Sequence, residues 1–235
     1  MVGLGPGDRD LLTPQALEAI NYADVVIGYK TYLDLVEDLL EGKDVISTGM
    51  KKEVDRAKEA LGLAKEGKVV ALVSSGDPGV YGMAGITLEL AGEDVEVEII
   101  PGVTAATAVA AALGAPLMHD FAVISLSDLL TPWVKIMTRL EAAGLGDYVV
   151  VLYNPRSQGR QTQIESAREI LLWHKSPDTP VGIVRRAKRG KEEVVVTTLG
   201  DMLEEEIDML TTVIIGNSQT RVENGRMLTP RGYPI

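Results

Sequence analysis

The sequence VVALVSSGDPGVYG, at residues 69–82, decides the fold of this chain. Its first five residues form a continuous apolar run, which is typical of a parallel strand buried on both faces. The glycines that follow allow a ligand to approach the backbone closely or allow a turn with positive φ. In an open α/β sheet, ligands bind beyond the carboxyl ends of the strands. The stretch therefore predicts a strand that ends in a binding loop, with Asp77 projecting from it.

Asp77 also has a second interpretation. An aspartate in a strand-to-helix connection is often a helix N-cap, because its carboxylate accepts a backbone N–H of the first turn. The local sequence does not distinguish a ligand-binding carboxylate from such a cap.

Composition narrows the possible classes of site. The chain has 235 residues, 46% of them hydrophobic, which is enough for one large domain or two small ones. It has no cysteine and two histidines, which excludes disulfides, thiolate nucleophiles, iron–sulfur clusters and a histidine-rich metal site. The net charge of −11 argues against nucleic-acid binding. With no membrane-spanning apolar run and no signal-peptide pattern, we expect a soluble cytoplasmic protein without a bound metal.

Strand and helix patterns alternate on both sides of the sequence GAP at residues 114–116. This alternation predicts two α/β domains that form a cleft, residues 1–116 and 117–235. Among the predicted elements are a strand over residues 95–100 and a helix over residues 199–210. The glycine-rich start at residues 3–7 does not predict dinucleotide binding, because Pro6 interrupts the glycine spacing and the second strand ends in Gly28 rather than an acidic residue.

Three motifs in this order resemble the tetrapyrrole (corrin and uroporphyrinogen) methyltransferases. They are GLGPG at residues 3–7, SGDP at residues 75–78 and PGVTA at residues 101–105. The segments HDFAVISLSD at residues 119–128 and YNPRS at residues 153–157 are similar to the precorrin-3B C(17)-methyltransferase branch. The resemblance covers nearly the whole chain. It implies a homodimer that uses S-adenosylmethionine to methylate C17 of precorrin-3B or cobalt-precorrin-3 and contracts the macrocycle, in vitamin B12 biosynthesis.

The resemblance also implies site residues. The expected contacts with S-adenosylmethionine are Gly76, Asp77, Val80, Tyr81, Thr104, Ala105, Tyr153 and Asn154. The substrate carries many carboxylates, which arginines bind bidentately. Predicted substrate contacts are Pro6, Lys30, Arg156 and Arg185, with Arg160 and Arg231 as further candidates.

Ring contraction requires a proton to be moved, so a positioned acid or base is expected. His119 is the candidate, with Asp120 beside it to orient the ring or raise its pKa. Ser127 and Asp128 are weaker alternatives, and a structural role for His119 stays open.

Other functions remain open at this point. A protein of the same fold could methylate a different precorrin carbon, a protein as diphthine synthase does, or a ribosomal RNA ribose. A non-enzymatic nucleotide-binding regulator is a third class, but no P-loop lysine follows any of the glycine clusters.

Overall fold

The computed structural model describes residues 1–49 and 52–234. The chain forms two compact units, Met1–Ala105 and Ala106–Ile235. The first unit thus ends before the predicted domain limit at residue 116. The difference arises because the helix that begins at Ala105 belongs by its packing to the second unit. Its residues Val109 and Leu113 share an apolar cluster with Val149 and Val151 of the second sheet.

The first unit is built on a parallel four-stranded sheet, in agreement with the predicted α/β class. The strand order is β1-β4-β2-β3, and every pairing is parallel. The strands are β1 (Val2–Gly3), β2 (Val25–Tyr29), β3 (Asp44–Thr48) and β4 (Val70–Ser74), and the α-helices are α1 (Pro14–Tyr22), α2 (Lys30–Leu33), α3 (Glu53–Lys65) and α4 (Ala84–Ala91). Two 3₁₀ segments, Arg9–Leu11 and Asp34–Leu39, complete the unit.

The apolar run of β4 is buried on both faces of this sheet. Ala71 and Val73 pack in one cluster with Ile20 of α1. Leu72, which points to the opposite face, packs in another cluster with Ala60 of α3. Because side chains alternate along a strand, a strand covered on both faces must be apolar at every position. The predicted central strand is confirmed.

The predicted strand over residues 95–100 forms only at its last residue. Ile100 makes a single parallel bridge to Val2. The Ile100 N–H donates to the Met1 carbonyl at 2.8 Å, and the Gly3 N–H donates to the Ile100 carbonyl at 3.0 Å. Since β1 is only two residues long, it offers its neighbour too few partners for a longer ladder.

The second unit contains a mixed five-stranded sheet of order β6-β7-β10-β8-β9 and a small sheet of order β11-β12-β5. Its strands are β5 (Gly114–Ala115), β6 (Phe121–Ser125), β7 (Val149–Tyr153), β8 (Pro180–Arg185), β9 (Glu193–Thr198), β10 (Thr211–Ile215), β11 (Arg221–Glu223) and β12 (Arg226–Leu228), and its helices are α5 (Ala105–Leu113), α6 (Trp133–Leu145) and α7 (Gln163–Leu172). Strand β10 is antiparallel to both β7 and β8, whereas β6 and β7 are parallel. Strands β6, β7 and β8 therefore all end at the same edge.

The predicted helix over residues 199–210 is wrong except for a 3₁₀ turn, Met202–Glu204. The backbone N–H groups of Asp208 and Leu210 donate to the side chains of Thr211 and Asp208 rather than to carbonyls one helical turn earlier. At the other end of the segment, the N–H groups of Leu199 and Gly200 donate to the Thr179 and Pro177 carbonyls, each at 2.8 Å. These bonds connect the segment to the start of β8. Among the residues that the structure describes, no helix is both long and apolar enough to cross a membrane.

An ion pair between a buried lysine and a partly exposed aspartate connects the end of α7 to the start of β7. The Lys175 ammonium, 1% exposed, lies 3.4 Å from Asp147 Oδ1 and donates to the Tyr148 carbonyl at 2.9 Å. Asp147 also accepts from the Ser218 N–H at 2.9 Å and from Ser218 Oγ at 2.6 Å. Burial by itself raises the pKa of Asp147, but the hydrogen bonds from Ser218 and the charge of Lys175 together bring it below the ordinary value.

This lowered pKa makes stability depend on pH. In the window between the two pKa values the unfolded chain binds more protons than the folded chain. The contribution of Asp147 is therefore complete above the ordinary carboxyl pKa of about 4 and is lost as the pH falls through the lower folded value. We expect Asp147→Asn to be less stable than the parent at about pH 7 and the difference to shrink at about pH 3, as measured by urea unfolding. An equal difference at both pH values would contradict this assignment.

Candidate functional site

The loops that follow β1 and β4 are joined beyond the carboxyl ends of these strands. The Leu4 N–H donates to the Ser74 carbonyl at 2.8 Å. Gly5 and Gly76 then exchange two backbone hydrogen bonds, of 3.1 and 2.7 Å. The first two sequence motifs therefore form one short antiparallel bridge at the carboxyl edge of the first sheet, meaning the loops after β1, β2 and β4.

The third motif, at residues 101–105, packs against the same bridge at a distance that only glycine permits. A Cβ placed on Gly102 would lie 2.2 Å from the Gly76 carbonyl oxygen. A Cβ placed on Gly3 would lie 2.6 Å from the backbone nitrogen of Gly102. Three backbone segments thus touch without intervening side chains, and all three sequence motifs meet at one place.

Asp77 is neither a helix cap nor a projecting side chain. The helix that follows it, α4, begins at Ala84 with Met83 as its N-cap residue. Asp77 Oδ1 accepts from the Gly79 N–H at 2.8 Å, and Oδ2 accepts from the Gly102 N–H at 3.1 Å. The carboxylate therefore ties the 101–105 loop to the glycine-rich loop after β4, residues 75–82. Its predicted contact with the cofactor stays a prediction.

The other cofactor residues predicted in the first half lie in these two loops. Val80 and Tyr81 occupy the turn after Asp77, which is closed by a hydrogen bond from the Ala84 N–H to the Pro78 carbonyl at 3.0 Å. Tyr81 has φ of 55° and its residue surface is 57% exposed. The Cα of Thr104, which precedes Ala105, would be 3.9 Å from a Cβ placed on Gly76.

Two residues predicted to contact the substrate lie at the carboxyl edge of the first sheet. Pro6 is buried in the loop after β1, and Lys30 is exposed as the first residue of α2, directly after β2. The parallel strand directions explain this placement, because the loops after β1, β2 and β4 must emerge on one side.

The second unit has its own carboxyl edge, the loops after β6, β7 and β8. Ser125 Oγ accepts from Asn154 Nδ2 at 2.9 Å and from the Ser127 N–H at 3.2 Å. The Tyr153 hydroxyl accepts from the Ala106 N–H, in the first turn of α5, at 2.7 Å. Ser125 was not among the predicted site residues. Its one sequence signal is a hydroxyl at the end of an otherwise largely apolar strand.

The predicted catalytic residues are divided between the two ends of β6. His119 and Asp120 precede this strand, whereas Ser127 follows it. A strand of five residues spans about 17 Å. The structure therefore brings Ser127 near Asn154 but leaves His119 and Asp120 at the opposite edge of the second sheet.

The predicted orientation of His119 by the Asp120 side chain is not what the structure shows. His119 Nδ1 accepts a hydrogen bond from the backbone N–H of Asp120 at 2.9 Å. The Asp120 carboxylate is 3.7 Å from the same nitrogen, beyond hydrogen-bonding distance. Since the Nδ1 lone pair is occupied, the neutral ring carries its proton on Nε2.

Arg185 is surrounded by carboxylates of its own chain. Its guanidinium lies 3.1 Å from Glu193, 2.9 Å from Glu206 and 2.9 Å from Asp208, and the contact of Nε with Asp208 is too bent to be a good hydrogen bond. Burial alone lowers the pKa of Arg185, but the three carboxylates raise it above its ordinary value. Its charge is therefore balanced within the second unit, which disfavours the predicted contact with substrate carboxylates.

Arg160 and Arg156, the other two arginines of this edge, differ in the partners of their Nε–H groups. Arg160 is 9% exposed, and its Nε donates to the Asn154 carbonyl at 3.0 Å, so it supports the loop after β7. Burial lowers the pKa of Arg160, although the charge of Asp128 partly opposes this effect. Arg156 has a buried Nε without a hydrogen-bond partner, and its nearest carboxylate, on Glu165, is 3.7 Å away. Arg231 is exposed near the chain end.

Among residues 1–49 and 52–234, no group of three or more histidine, aspartate or glutamate side chains could hold a metal ion. The first edge consists mainly of backbone amides and closely packed glycines, with the Asp77 carboxylate held between two loops. The second edge consists mainly of side-chain hydroxyl, amide and guanidinium groups.

The sequence profile of the tetrapyrrole (corrin/porphyrin) methylases matches residues 1–203. A probable cobalt-factor III C(17)-methyltransferase of Salmonella typhimurium is 52% identical over 100% of this chain and 99% of its own length. A cobalt-factor III methyltransferase of Priestia megaterium is 53% identical over 99% of this chain, which spans 44% of that longer protein.

Solved structures agree with these sequence matches. The crystal structure of the methyltransferase CobJ superposes with a TM-score of 0.93 and 40% identity, covering 97% of this chain and 98% of that one. A uroporphyrin-III C-methyltransferase from Thermus thermophilus, in complex with S-adenosylhomocysteine, has a TM-score of 0.69 and 29% identity, covering 92% and 90% of the two chains.

Proposed function

We propose that this chain, which belongs to the tetrapyrrole (corrin/porphyrin) methylase family and is an S-adenosylmethionine-dependent methyltransferase, methylates C17 of cobalt-factor III or precorrin-3B with contraction of the macrocycle. The observation that carries the proposal is the 52% identity with the Salmonella typhimurium relative over the whole chain. The three sequence motifs that resemble this family converge at the carboxyl edge of the first sheet, which supports that edge as the place of cofactor binding.

The residues of the first edge fit a cofactor that is held mainly by backbone. S-adenosylmethionine supplies an electrophilic methyl group, and its transfer requires in-line approach and exclusion of water. Holding two reactants in attack geometry can provide about 7–11 kcal/mol of the barrier. The pair of hydrogen bonds between Gly5 and Gly76 and the carboxylate of Asp77 restrain both loops before a ligand arrives. We assign cofactor contacts to Gly76, Val80, Tyr81, Thr104 and Ala105.

Substrate carboxylates need cationic groups that are not already neutralised. Arg156 meets this condition best among the arginines at the second edge, because its nearest carboxylate is 3.7 Å away, whereas Arg185 has three carboxylates within 3.1 Å. Arg160 and Arg185 are used by their own unit. Lys30, exposed at the first edge, is the second group we assign to a substrate carboxylate.

The acid–base role of His119 is a separate part of the proposal, because His119 lies before β6, at the end of the second sheet opposite to Ser127. To donate a proton, His119 must be in its imidazolium form, because loss of the Nε2 proton from the neutral ring would leave an imidazolate. In that form Nδ1 is also protonated and no longer accepts from the Asp120 N–H. We expect His119→Ala to lower the rate of ring contraction about 100-fold, the lower end of the range for general acid–base catalysis, and to leave S-adenosylhomocysteine affinity unchanged. The rate of ring contraction is measured from the absorption of the product. Calorimetry measures the affinity for S-adenosylhomocysteine as the control. Contraction at the parental rate would remove His119 from the chemistry and favour Ser127.

The central experiment tests substrate and reaction together. Purified protein is incubated with cobalt-factor III or precorrin-3B and methyl-labelled S-adenosylmethionine, and the mass and absorption of the product are recorded. We expect one labelled methyl group per macrocycle and the spectral change of a contracted ring. Titration with S-adenosylhomocysteine and with ATP is the control, and binding of ATP alone would favour a nucleotide-binding regulator. Methylation of neither macrocycle, despite S-adenosylhomocysteine binding, would refute the C17 assignment.

We further propose that the protein acts as a homodimer in the cytoplasm, which the resemblance to the family supports. Sedimentation of the purified full chain tests the association, since a single species of monomer mass at micromolar concentration would contradict it.

A further inference from the structure

Two adjacent leucines stand almost free of protein contacts at the carboxyl edge of the second sheet. Leu129 is 67% exposed and Leu130 is 94% exposed. Both lie in the connection between β6 and α6, one residue beyond the Ser127–Asp128 pair. Exposing two neighbouring large apolar side chains forgoes the free energy that their burial would provide.

The loop that presents them is held at both ends. Leu126, fully buried, donates its N–H to the Tyr153 carbonyl at 2.9 Å. Asp128 Oδ2 accepts from Gln163 Nε2, in the first turn of α7, at 3.0 Å. After the leucines, Trp133 packs against the apolar core of the second unit. The leucines therefore project from a loop whose two ends are anchored.

The same turn of α7 lies beside Arg156. Arg156 is 3.7 Å from Glu165, so the Leu129–Leu130 loop and Arg156 are both attached to the first turn of this helix, one through Gln163 and one through Glu165. Two buried polar atoms here have no hydrogen-bond partner, the donor Arg156 Nε and the acceptor Gln163 Oε1. Buried polar atoms are nearly always paired, so the Arg156 guanidinium keeps capacity for a further acceptor at this turn.

We infer that Leu129, Leu130 and Arg156 form one subsite for the substrate, in which the leucines cover the apolar face of a flat macrocycle and Arg156 binds a carboxylate on its rim. This inference rests on the proposed function and deepens it. A planar ring with carboxylate arms is apolar on its faces and anionic at its edge. The subsite offers two exposed leucine side chains and a guanidinium whose nearest carboxylate, on Glu165, is 3.7 Å away. The leucines determine specificity for a macrocycle, and they take no part in the chemical step.

The test replaces the two leucines together, Leu129→Ser with Leu130→Ser. We expect the KM for the macrocycle to rise about 10- to 100-fold, because apolar contact with the ring is lost. The affinity for S-adenosylhomocysteine should stay unchanged, and so should the thermal midpoint, since neither side chain belongs to the core. The matched control is Leu145→Ser with Trp173→Ser. These side chains are 78% and 85% exposed, and they lie at the far ends of α6 and α7, away from this edge.

A binding titration with uroporphyrin III separates the apolar and ionic contributions. Salt screens an exposed ion pair but not an apolar contact. We expect Leu129→Ser with Leu130→Ser to weaken binding by the same factor at low and high salt. Arg156→Gln should weaken it mainly at low salt.

Two results would overturn the inference. One is parental macrocycle affinity in the double leucine variant, and the other is an equal loss in the Leu145 and Trp173 control. Neither result touches the proposed function, which fails instead if the parent protein binds the macrocycle without methylating it.

Discussion

Replacing Gly102 with alanine is expected to abolish measurable binding of S-adenosylhomocysteine and to lower the free energy of unfolding by about 2–4 kcal/mol. The cause is steric. The new Cβ would lie 2.2 Å from the Gly76 carbonyl oxygen and 2.9 Å from the carbonyl carbon of Gly3, and both neighbours are backbone atoms that no rotamer change can move away. Relief requires the 101–105 loop to separate from the glycine-rich loop, and this separation also breaks the hydrogen bond from Gly102 to Asp77. Calorimetry measures the binding, and urea unfolding measures the stability.

Gly62→Ala is the matched control for this prediction. Gly62 lies inside α3, and a Cβ placed on it would meet nothing within 4 Å. Alanine is favoured over glycine in a helix by about 0.5–1 kcal/mol, so this variant should be slightly more stable than the parent and should bind the cofactor product normally. If Gly102→Ala behaved like Gly62→Ala, the close packing of the three backbone segments would not be needed for binding.

The second large effect is expected for Asp77→Ala. This change removes both acceptors that hold the Gly79 and Gly102 N–H groups. A hydrogen bond to a charged group contributes about 1.5–3 kcal/mol, so the loss of two amounts to about 3 kcal/mol or more. If this free energy keeps the loops in the binding conformation, S-adenosylhomocysteine affinity should fall more than about 100-fold. Calorimetry with the full chain measures this affinity.

Asp77→Asn distinguishes the positioning role from a direct contact with the cofactor. The asparagine amide keeps one oxygen that can accept from a backbone N–H, so a positioning role predicts an intermediate loss of both stability and affinity. A direct charge contact with the ligand predicts parental stability with a full loss of affinity. Parental affinity in both Asp77 variants would remove Asp77 from the site.

Local patterns were sufficient to predict the first edge. The apolar run of β4 and the glycines and prolines around it are signals that depend on near neighbours, and they located the central strand and the loop after it correctly. The role of Asp77 could not be derived in this way. One of its two partners, Gly102, is 25 residues away in the chain, so only the folded backbone shows that the carboxylate ties two loops together.

The same limit applies to the charged residues of the second unit. Arg185 was a reasonable carboxylate ligand by residue type, but Glu206 and Asp208, which neutralise it, come from a segment that the sequence predicted as helix. His119 and Asp120 are neighbours in sequence, yet the backbone N–H of Asp120 contacts the ring and the carboxylate does not. Charge and tautomer depend on distances of a few ångströms, which sequence spacing does not specify.

By itself the sequence determined the α/β class, the parallel central strand and the loops that end it, because burial on both faces and glycine-dependent turns leave direct marks on residue type. Its motifs also indicated the methyltransferase family. Only the tertiary structure decided which charged groups are already neutralised, which glycines touch, and that Arg156 and the Leu129–Leu130 loop are attached to one turn of α7. The physical reason is that hydrogen bonds, ion pairs and steric contacts act through space between residues far apart in the chain.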